Sequence, residues 1–259
     1  MMTQEPDTFR AQGAASRLIR EYGITDPGQI ALEDIAWDRG IYVRAGSIEG
    51  AEAWLLRRGR RGLIRVSNRI AEMGRRRFAT GHELGHWELH LDLSQAWLCT
   101  SDDIHAYRGG KAEIEANAFS AALLMPQEMF RPRVTGRDLG FDLVRILATE
   151  FQTTLTATAI RVVEETDQDC YVVLSRGGRI NWWKRSARGS GLYLDRHQPI
   201  DPDSLAWRCE YEQVEHCRMA QVPVHAWFQS GNSSEVLELW EESLLLFEYQ
   251  VVLTLLCVV

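Results

Sequence analysis

No stretch of this 259-residue chain reaches the run of about 18 apolar residues that a helix needs to cross a bilayer. The most apolar region, 244–259, is interrupted by Glu248, Gln250 and Thr254, and its β-branched content reads as terminal strands rather than an anchor. A secretory leader is also missing, since the first ten residues carry no basic segment followed by an apolar one. Together these absences predict a cytoplasmic protein with no membrane association. The five cysteines (Cys99, Cys170, Cys209, Cys217 and Cys257) form no C-x-x-C pair and no tight cluster. That excludes a disulfide framework and a thiolate zinc site, leaving them as small buried hydrophobes. There is no internal repeat and no low-complexity tract. Nor is there a basic excess: the net charge of −7 disfavours general nucleic-acid binding. The charge is uneven, however, with nine Arg and one acid in 57–77 against eleven acids and three Arg in 195–259.

What is present is the run His82-Glu83-Leu84-Gly85-His86, an H-E-x-x-H pattern. On an α-helix, positions four apart lie about 40° apart around the axis and roughly 6 Å along it, so both imidazoles can close on one ion. This is a zinc-ligand spacing. Glu83 falls on the flank of the same face, where its carboxylate can act as a general base on a water at the metal without binding the ion. Five residues are a short pattern, so the surroundings must support it. They are apolar and uncharged: Phe78, Ala79, Thr80, Gly81, Leu84, Gly85 and Trp87 suit a helix inside a domain. Leu84, Trp87 and Leu91 fall on the side away from the His pair, leaving one face to pack and one for the metal. Gly81 and Gly85 would each cost about 1 kcal/mol in a helix interior, which predicts close approach of another segment. The competing interpretation is a core helix with two hydrogen-bonded histidines.

A catalytic zinc site uses three protein ligands. Asp92 stands where an extended motif would place a third His, and His90 lies too far along the axis to chelate with His82, so it reads as a supporting residue. The better source is the next helical stretch, 111–125, stopped by Pro126. Glu113, Asn117, Ser120 and Leu124 share one of its faces, and alanines at 116, 118, 121 and 122 allow close packing on a neighbour. Glu113 is the expected third ligand, and Asn117, one turn on, is placed to accept a hydrogen bond from a ligating His. Glu115 remains the competing choice, because helical geometry alone does not exclude it.

The two blocks R-R-R-F-A-T-G-H-E-L-G-H-W-E-L-H (75–90) and E-I-E-A-N-A-F-S-A-A-L-L-M-P (113–126) resemble, in order and spacing, the ImmA/IrrE metallo-endopeptidases. The resemblance covers roughly residues 10–165 at falling strength. It implies a zincin-like peptidase domain with Zn2+ held by His82, His86 and Glu113 and with Glu83 as general base. It also implies a regulatory protein as substrate, typically a phage-repressor-like helix-turn-helix transcription factor. Ser120 stands where Ala is more usual in the family.

The remaining pattern predicts an α+β chain in three parts. Residues 1–135 form the metallopeptidase domain, with helices over 10–22 and 32–38 and short strands over 41–44, 53–57 and 63–67 ahead of the metal helix. The strand at 63–67 is the expected receiver of a substrate added as a further β-strand. The arginines at the hairpin tip before it either steer an acidic partner or are simply solvated. The long irregular stretch 92–110 offers His105 and Tyr107 as oxyanion donors. Residues 136–166 read as a helix-turn-helix-like segment with Leu143, Ile146, Leu147, Phe151, Leu155, Ile160 and Val163 as its core. Its balanced charge and neutral second helix favour packing over direct DNA binding.

Residues 167–259 form a small C-terminal α+β domain of unknown role. It carries a hairpin of 171–174 with 179–183, a short helix capped by Asp203, and strands over 222–228, 236–240 and 249–258. Its tryptophans (Trp182, Trp183, Trp207, Trp227 and Trp240) serve core packing. The functional expectation is a zinc metallo-endopeptidase. The alternatives are a DNA-binding regulator with a vestigial metal site and a partner-binding module in which zinc is structural; the retained Glu83 speaks against both.

Overall fold

The computed structural model describes residues 5–90, 97–99, 110–188, 192–228 and 238–259, with backbone alone for 97–99. The protein is a mixed α+β chain with a four-stranded and a five-stranded sheet. It divides into two compact units: residues 1–130 with 148–154, and residues 131–147 with 155–259.

In the first unit α1 (Thr8–Glu21) starts at Asp7, whose carboxylate accepts from the Arg10 amide. It buries Ala11, Ala14, Ala15, Leu18 and Ile19, an i, i+3, i+4, i+7, i+8 stripe. Helix α2 (Leu32–Asp38) leads into β1 (Ile41–Gly46), followed by β2 (Ala53–Arg58), β3 (Arg61–Ser67), α3 (Met73–Leu89), β4 (Trp97–Cys99), α4 (Lys111–Leu124) and the short α5 (Gln127–Phe130). The sheet order is β1-β3-β2-β4, with β1 parallel to β3 and the other pairs antiparallel. Residues 63–67, expected to receive a substrate strand, therefore lie inside the sheet: β3 is paired on both sides and has no edge to offer. This corrects the sequence expectation, which identified the strand but had no means of ordering it.

Ile41, Ala53, Leu55, Ile64 and Val66 form the buried side of this sheet. Helix α3 lies against it, with Trp87 over Gly62, where a Cβ would come within 2.8 Å of the indole. The Arg57 guanidinium stacks 3.9 Å from the Trp87 ring centroid and donates to the Trp87 carbonyl. One of the hairpin-tip arginines thus fixes the end of α3 rather than facing solvent. On its other side α3 meets α4. A Cβ at Gly81 would reach 2.6 Å from Ser120 Oγ, and one at Gly85 would reach 3.1 Å from the Ala116 backbone, so the two glycines permit the approach that their presence predicted. Ser120 is accommodated there because its hydroxyl donates to the Phe78 carbonyl at 2.9 Å.

The start of α3 is equally crowded, since a Cβ on Gly74 would lie 2.5 Å from the Thr153 carbonyl carbon. Ala is intrinsically about 1 kcal/mol better than Gly in a helix. A backbone clash reverses the sign, and we expect Gly74→Ala to destabilise the first unit by about 1–3 kcal/mol, read as a lower urea midpoint.

Helices α6 (Phe141–Phe151) and α7 (Leu155–Glu165) occupy the predicted helical segment, with Gln152 at φ 53° between them. One expected core residue is misplaced: Ile146 is 59% exposed, and Val144 is buried instead. The buried stripe of α6 runs Phe141, Val144, Leu147, Ala148, Phe151, and Ile146 projects off it.

In the second unit β5 (Cys170–Arg176) and β6 (Arg179–Arg185) are joined by Gly177 and Gly178, both at positive φ. That is the backbone a two-residue hairpin turn requires. They are followed by α8 (Leu205–Tyr211), β7 (His216–Val222), β8 (Leu239–Leu246) and β9 (Val251–Val258), giving an antiparallel sheet in the order β6-β5-β9-β8-β7. The apolar run at 244–259 is accounted for here, since β9 is the middle strand and six consecutive residues of it are buried. Three local expectations are corrected. The strand expected at 222–228 ends at Val222, because Pro223 cannot donate to a ladder; a 3-10 turn, Val224–Ala226, follows. The strand expected at 236–240 is instead β8, whose described part runs from Leu239 to Leu246. The cap of α8 is Ser204, which accepts from the Trp207 amide, whereas Asp203 pairs with His225 at the surface. Trp227 is fully buried in the core of this unit, with Trp183 and Trp207 packed against it. Among the described residues, no helix is long and apolar enough to cross a membrane.

Candidate metal centre

Helix α3 contributes His82, Glu83 and His86, and α4 contributes Glu113 and Asn117. His82, Glu83 and Asn117 have no exposed surface, while His86 and Glu113 are 1% and 7% exposed. The glycine-to-backbone contacts of α3 and α4 hold the two helices close enough for a glutamate side chain on one to reach imidazoles on the other. His82 Nε2 lies 3.0 Å from His86 Nε2 and 3.0 Å from Glu113 Oε2, and His86 Nε2 lies 3.4 Å from Glu113 Oε1.

Hydrogen-bond logic fixes which of these atoms carry protons. His82 Nδ1 faces Asn117 Oδ1 at 2.9 Å, an acceptor, so the ring proton belongs on Nδ1 and Nε2 presents a lone pair. For His86 the chain is longer. Glu115 Oε2 accepts from His90 Nε2 at 3.0 Å, so a neutral His90 has a lone pair on Nδ1. That atom lies 3.1 Å from His86 Nδ1, which must supply the proton, leaving His86 Nε2 bare. Two imidazole lone pairs and a carboxylate thus converge with no hydrogen between them, and Glu113 Oε2 accepts no well-formed hydrogen bond despite its short contact.

Buried acceptors that face one another repel, and a cation is what makes such a cluster favourable. Ligands about 2.0–2.1 Å from a tetrahedral zinc are about 3.3 Å from each other, close to the separations seen here. The residues therefore fit a zinc ion, and His82, His86 and Glu113 form a group able to hold a metal. When protons take the place of the ion, burial pushes His82 down, but the Glu113 and Glu83 carboxylates outweigh it and hold His82 above the ordinary imidazole value. Burial keeps His86 below that value. For Glu113 burial acts upward, and the two imidazoles more than reverse it, holding the carboxyl well below the usual range.

Of the four residues expected from the sequence, His82, His86 and Glu113 are brought together, Glu83 is buried next to His82 on α3, and Glu115 is directed elsewhere. It accepts from the Asp7 amide at 2.9 Å, from Arg10 at 3.0 Å and from His90, so the competing ligand is instead the terminus of a relay behind His86. Burial acts to raise the Glu115 carboxyl, but these partners lower it and keep it ionised. The part played by Asp7 and Arg10 was missed, as more than a hundred residues separate them from Glu115 and nothing in the local pattern of α1 signals it. His105 and Tyr107 lie outside the described residues. Because Asn117 sets the His82 tautomer, we expect Asn117→Ala to weaken zinc binding by about 10–100-fold in a competition titration with a chelating dye.

Residues 36–163 match the family described as the IrrE N-terminal-like domain, Peptidase_M78. A solved structure, a Mycobacterium tuberculosis transcriptional regulator, is similar to this chain with a TM-score of 0.61 at 17% sequence identity, covering 96% of this chain and 76% of that one. That likeness is one of fold. Comparison with curated proteins finds no match.

Proposed function

The chain belongs, through residues 36–163, to the IrrE N-terminal-like family of metallopeptidases, and on that premise we propose that it is a zinc-dependent endopeptidase. Its peptidase domain is zincin-like and occupies residues 1–135, and its target is a peptide bond in a regulatory protein. The observation that carries the reading is the convergence of His82 Nε2, His86 Nε2 and the Glu113 carboxylate beside a buried Glu83. A zinc ion held there supplies Lewis acidity, making an attacking water more acidic and polarising the scissile carbonyl.

The chain's own groups do the rest. Asn117 holds the Nδ1 proton of His82, and the His90–Glu115 pair orients His86, so both rings keep their Nε2 lone pairs aimed at one point. Glu83 accepts the proton of the attacking water and returns it to the leaving amine. A base beside three ligands has no purpose in a purely structural site, and this favours hydrolysis over a partner-binding module.

The proposed substrate is a helix-turn-helix repressor of the phage type. This rests on the family and is compatible with a structural neighbour that is a transcriptional regulator. The test is incubation of the zinc-loaded protein with small helix-turn-helix repressors from its own genome, followed by intact-mass analysis. One discrete cut, absent with Glu83→Gln, is expected; a protein that binds one zinc and cleaves none of them removes the substrate assignment.

A further inference from the structure

The sheet of the first unit has a second face, turned away from α3, with an ordered composition. Strand register places Tyr42, Leu63 and Leu56 side by side across β1, β3 and β2. The next row on the same face is Arg44, Arg65 and Trp54, and on the other flank Arg61 sits opposite Arg58. An apolar row is thus bordered on both sides by rows that carry arginine. Tyr42 is 50% and Leu56 44% exposed, and Trp37, at 61%, extends the apolar row with its ring edge-on to Tyr42 at 4.7 Å. None of the four strands contains an acidic residue, and none of these four arginines pairs with a described carboxylate.

Two features distinguish this face from an ordinary solvated one. Like charges directly opposite on a sheet cost about 0.2–1 kcal/mol, yet two such pairs, Arg44 with Arg65 and Arg58 with Arg61, are kept. Protective charges also belong on edge strands, whereas Arg65 lies inside the sheet, between Arg44 and Trp54.

We propose that this face is a docking surface for a protein partner, and that the docking element is an amphipathic helix with an apolar stripe flanked by carboxylates. Rows two residues apart on a strand are about 7 Å apart, which sets arginines to either side of a one-helix-wide stripe. Three strands span about 10 Å, or two helical turns, and Trp37 lengthens the contact. Trp, Tyr and Arg around aliphatic side chains make the composition of a protein interface. A single-stranded nucleic acid would find less here. The centre of the face is Leu63 and Leu56, which offer no surface for base stacking, and the Trp37 and Tyr42 rings meet edge-on rather than as parallel platforms. The proposal goes beyond the peptidase reading and does not depend on it, since it concerns the sheet face opposite the metal helix.

The experiment is fluorescence anisotropy with full-length zinc-loaded Glu83→Gln protein, which removes cleavage from the readout. The probe is a labelled helical peptide of about 15 residues with leucines on one face and glutamates on both flanks. A version with lysine for glutamate and a labelled oligothymidylate serve as controls. The expected result is saturable binding of the glutamate peptide at about 10 μM, at least about tenfold tighter than the lysine peptide. Arg58→Glu with Arg61→Glu should weaken it about tenfold, as should Leu56→Glu, each with an unchanged circular dichroism melt. Equal binding of the two peptides, insensitivity to both sets of substitutions, no saturation, or tighter binding of the oligothymidylate would each overturn the proposal.

Discussion

Glu83→Gln is expected to lower peptide hydrolysis by about a thousandfold or more while the protein still holds one zinc. Glutamine has nearly the same volume, so the fully buried position between Gly81 and Gly85 is not repacked. What changes is proton affinity: an amide cannot take a proton from water or return one to the departing amine. The loss should therefore fall on kcat, with KM little altered, because Glu83 acts in the transition state rather than in binding. The measurement is kcat and KM on a cleaved repressor, alongside zinc by atomic emission. Retained turnover within about tenfold would mean that another group carries the proton, and the general-base assignment would fall. The same variant separates the alternatives, because a DNA-binding regulator or a partner-binding module with structural zinc would keep its function.

Removal of zinc should destabilise the first unit strongly. At a free-metal level about a thousandfold above its dissociation constant, a bound ion adds about 4 kcal/mol, equivalent to roughly 10 °C in Tm for a unit of this size. The structure suggests no compensating hydrogen bond: without a cation, His82 Nε2, His86 Nε2 and Glu113 are left facing one another as acceptors unless protons enter. Glu113→Ala should cost most of the zinc affinity, and its melt should coincide with that of chelator-treated wild type.

Acid should act like a chelator. Each imidazole must be neutral to bind metal, so zinc affinity falls with pH. In the absence of the ion the neighbouring carboxylates hold His82 above its ordinary value, so proton competition at His82 begins higher than the usual imidazole pKa of about 6.5. Zinc affinity should therefore begin to fall above the ordinary imidazole range through His82 and keep falling below it through His86, whose burial holds it lower. A chelator that leaves the melt unchanged, or a zinc affinity no lower at about pH 5 than at neutral pH, would sink this account.

Much of the metal centre was legible because it is local. The i, i+4 spacing of His82 and His86, the apolar flank and the two glycines all follow from one helix. Glu113 could be ranked above Glu115 because a second helix places them on opposite sides. The relay behind His86 was not legible: it joins Asp7 and Arg10 of the α1 start to Glu115 by hydrogen bonds that leave no periodic trace. The order of the first sheet was also hidden, since apolar alternation identifies β3 as a strand without saying that β1 would return alongside it in parallel. Strand β7 escaped for a different reason. His216-Cys217-Arg218-Met219-Ala220-Gln221-Val222 does not alternate cleanly, and its register shifts between Cys217 and Ala220, so the period-2 signal is broken where pairing is irregular. Ile146 shows the limit of hydrophobicity as a guide to burial, since it is apolar but lies off the stripe that α6 presents inward.

The middle position of β9 gives the second unit an order of assembly. Strands β5 and β6 can zip as a local hairpin, and β7 can pair with β8, but the two ribbons share no hydrogen bonds until β9 enters between them. Closing the β5–β9 pair brings together Cys170 and Cys257, far apart in sequence, at an entropic cost that neither ribbon bears alone. The unit should therefore fold slowly and late, through a state with two unjoined ribbons whose exposed edges invite pairing with other chains.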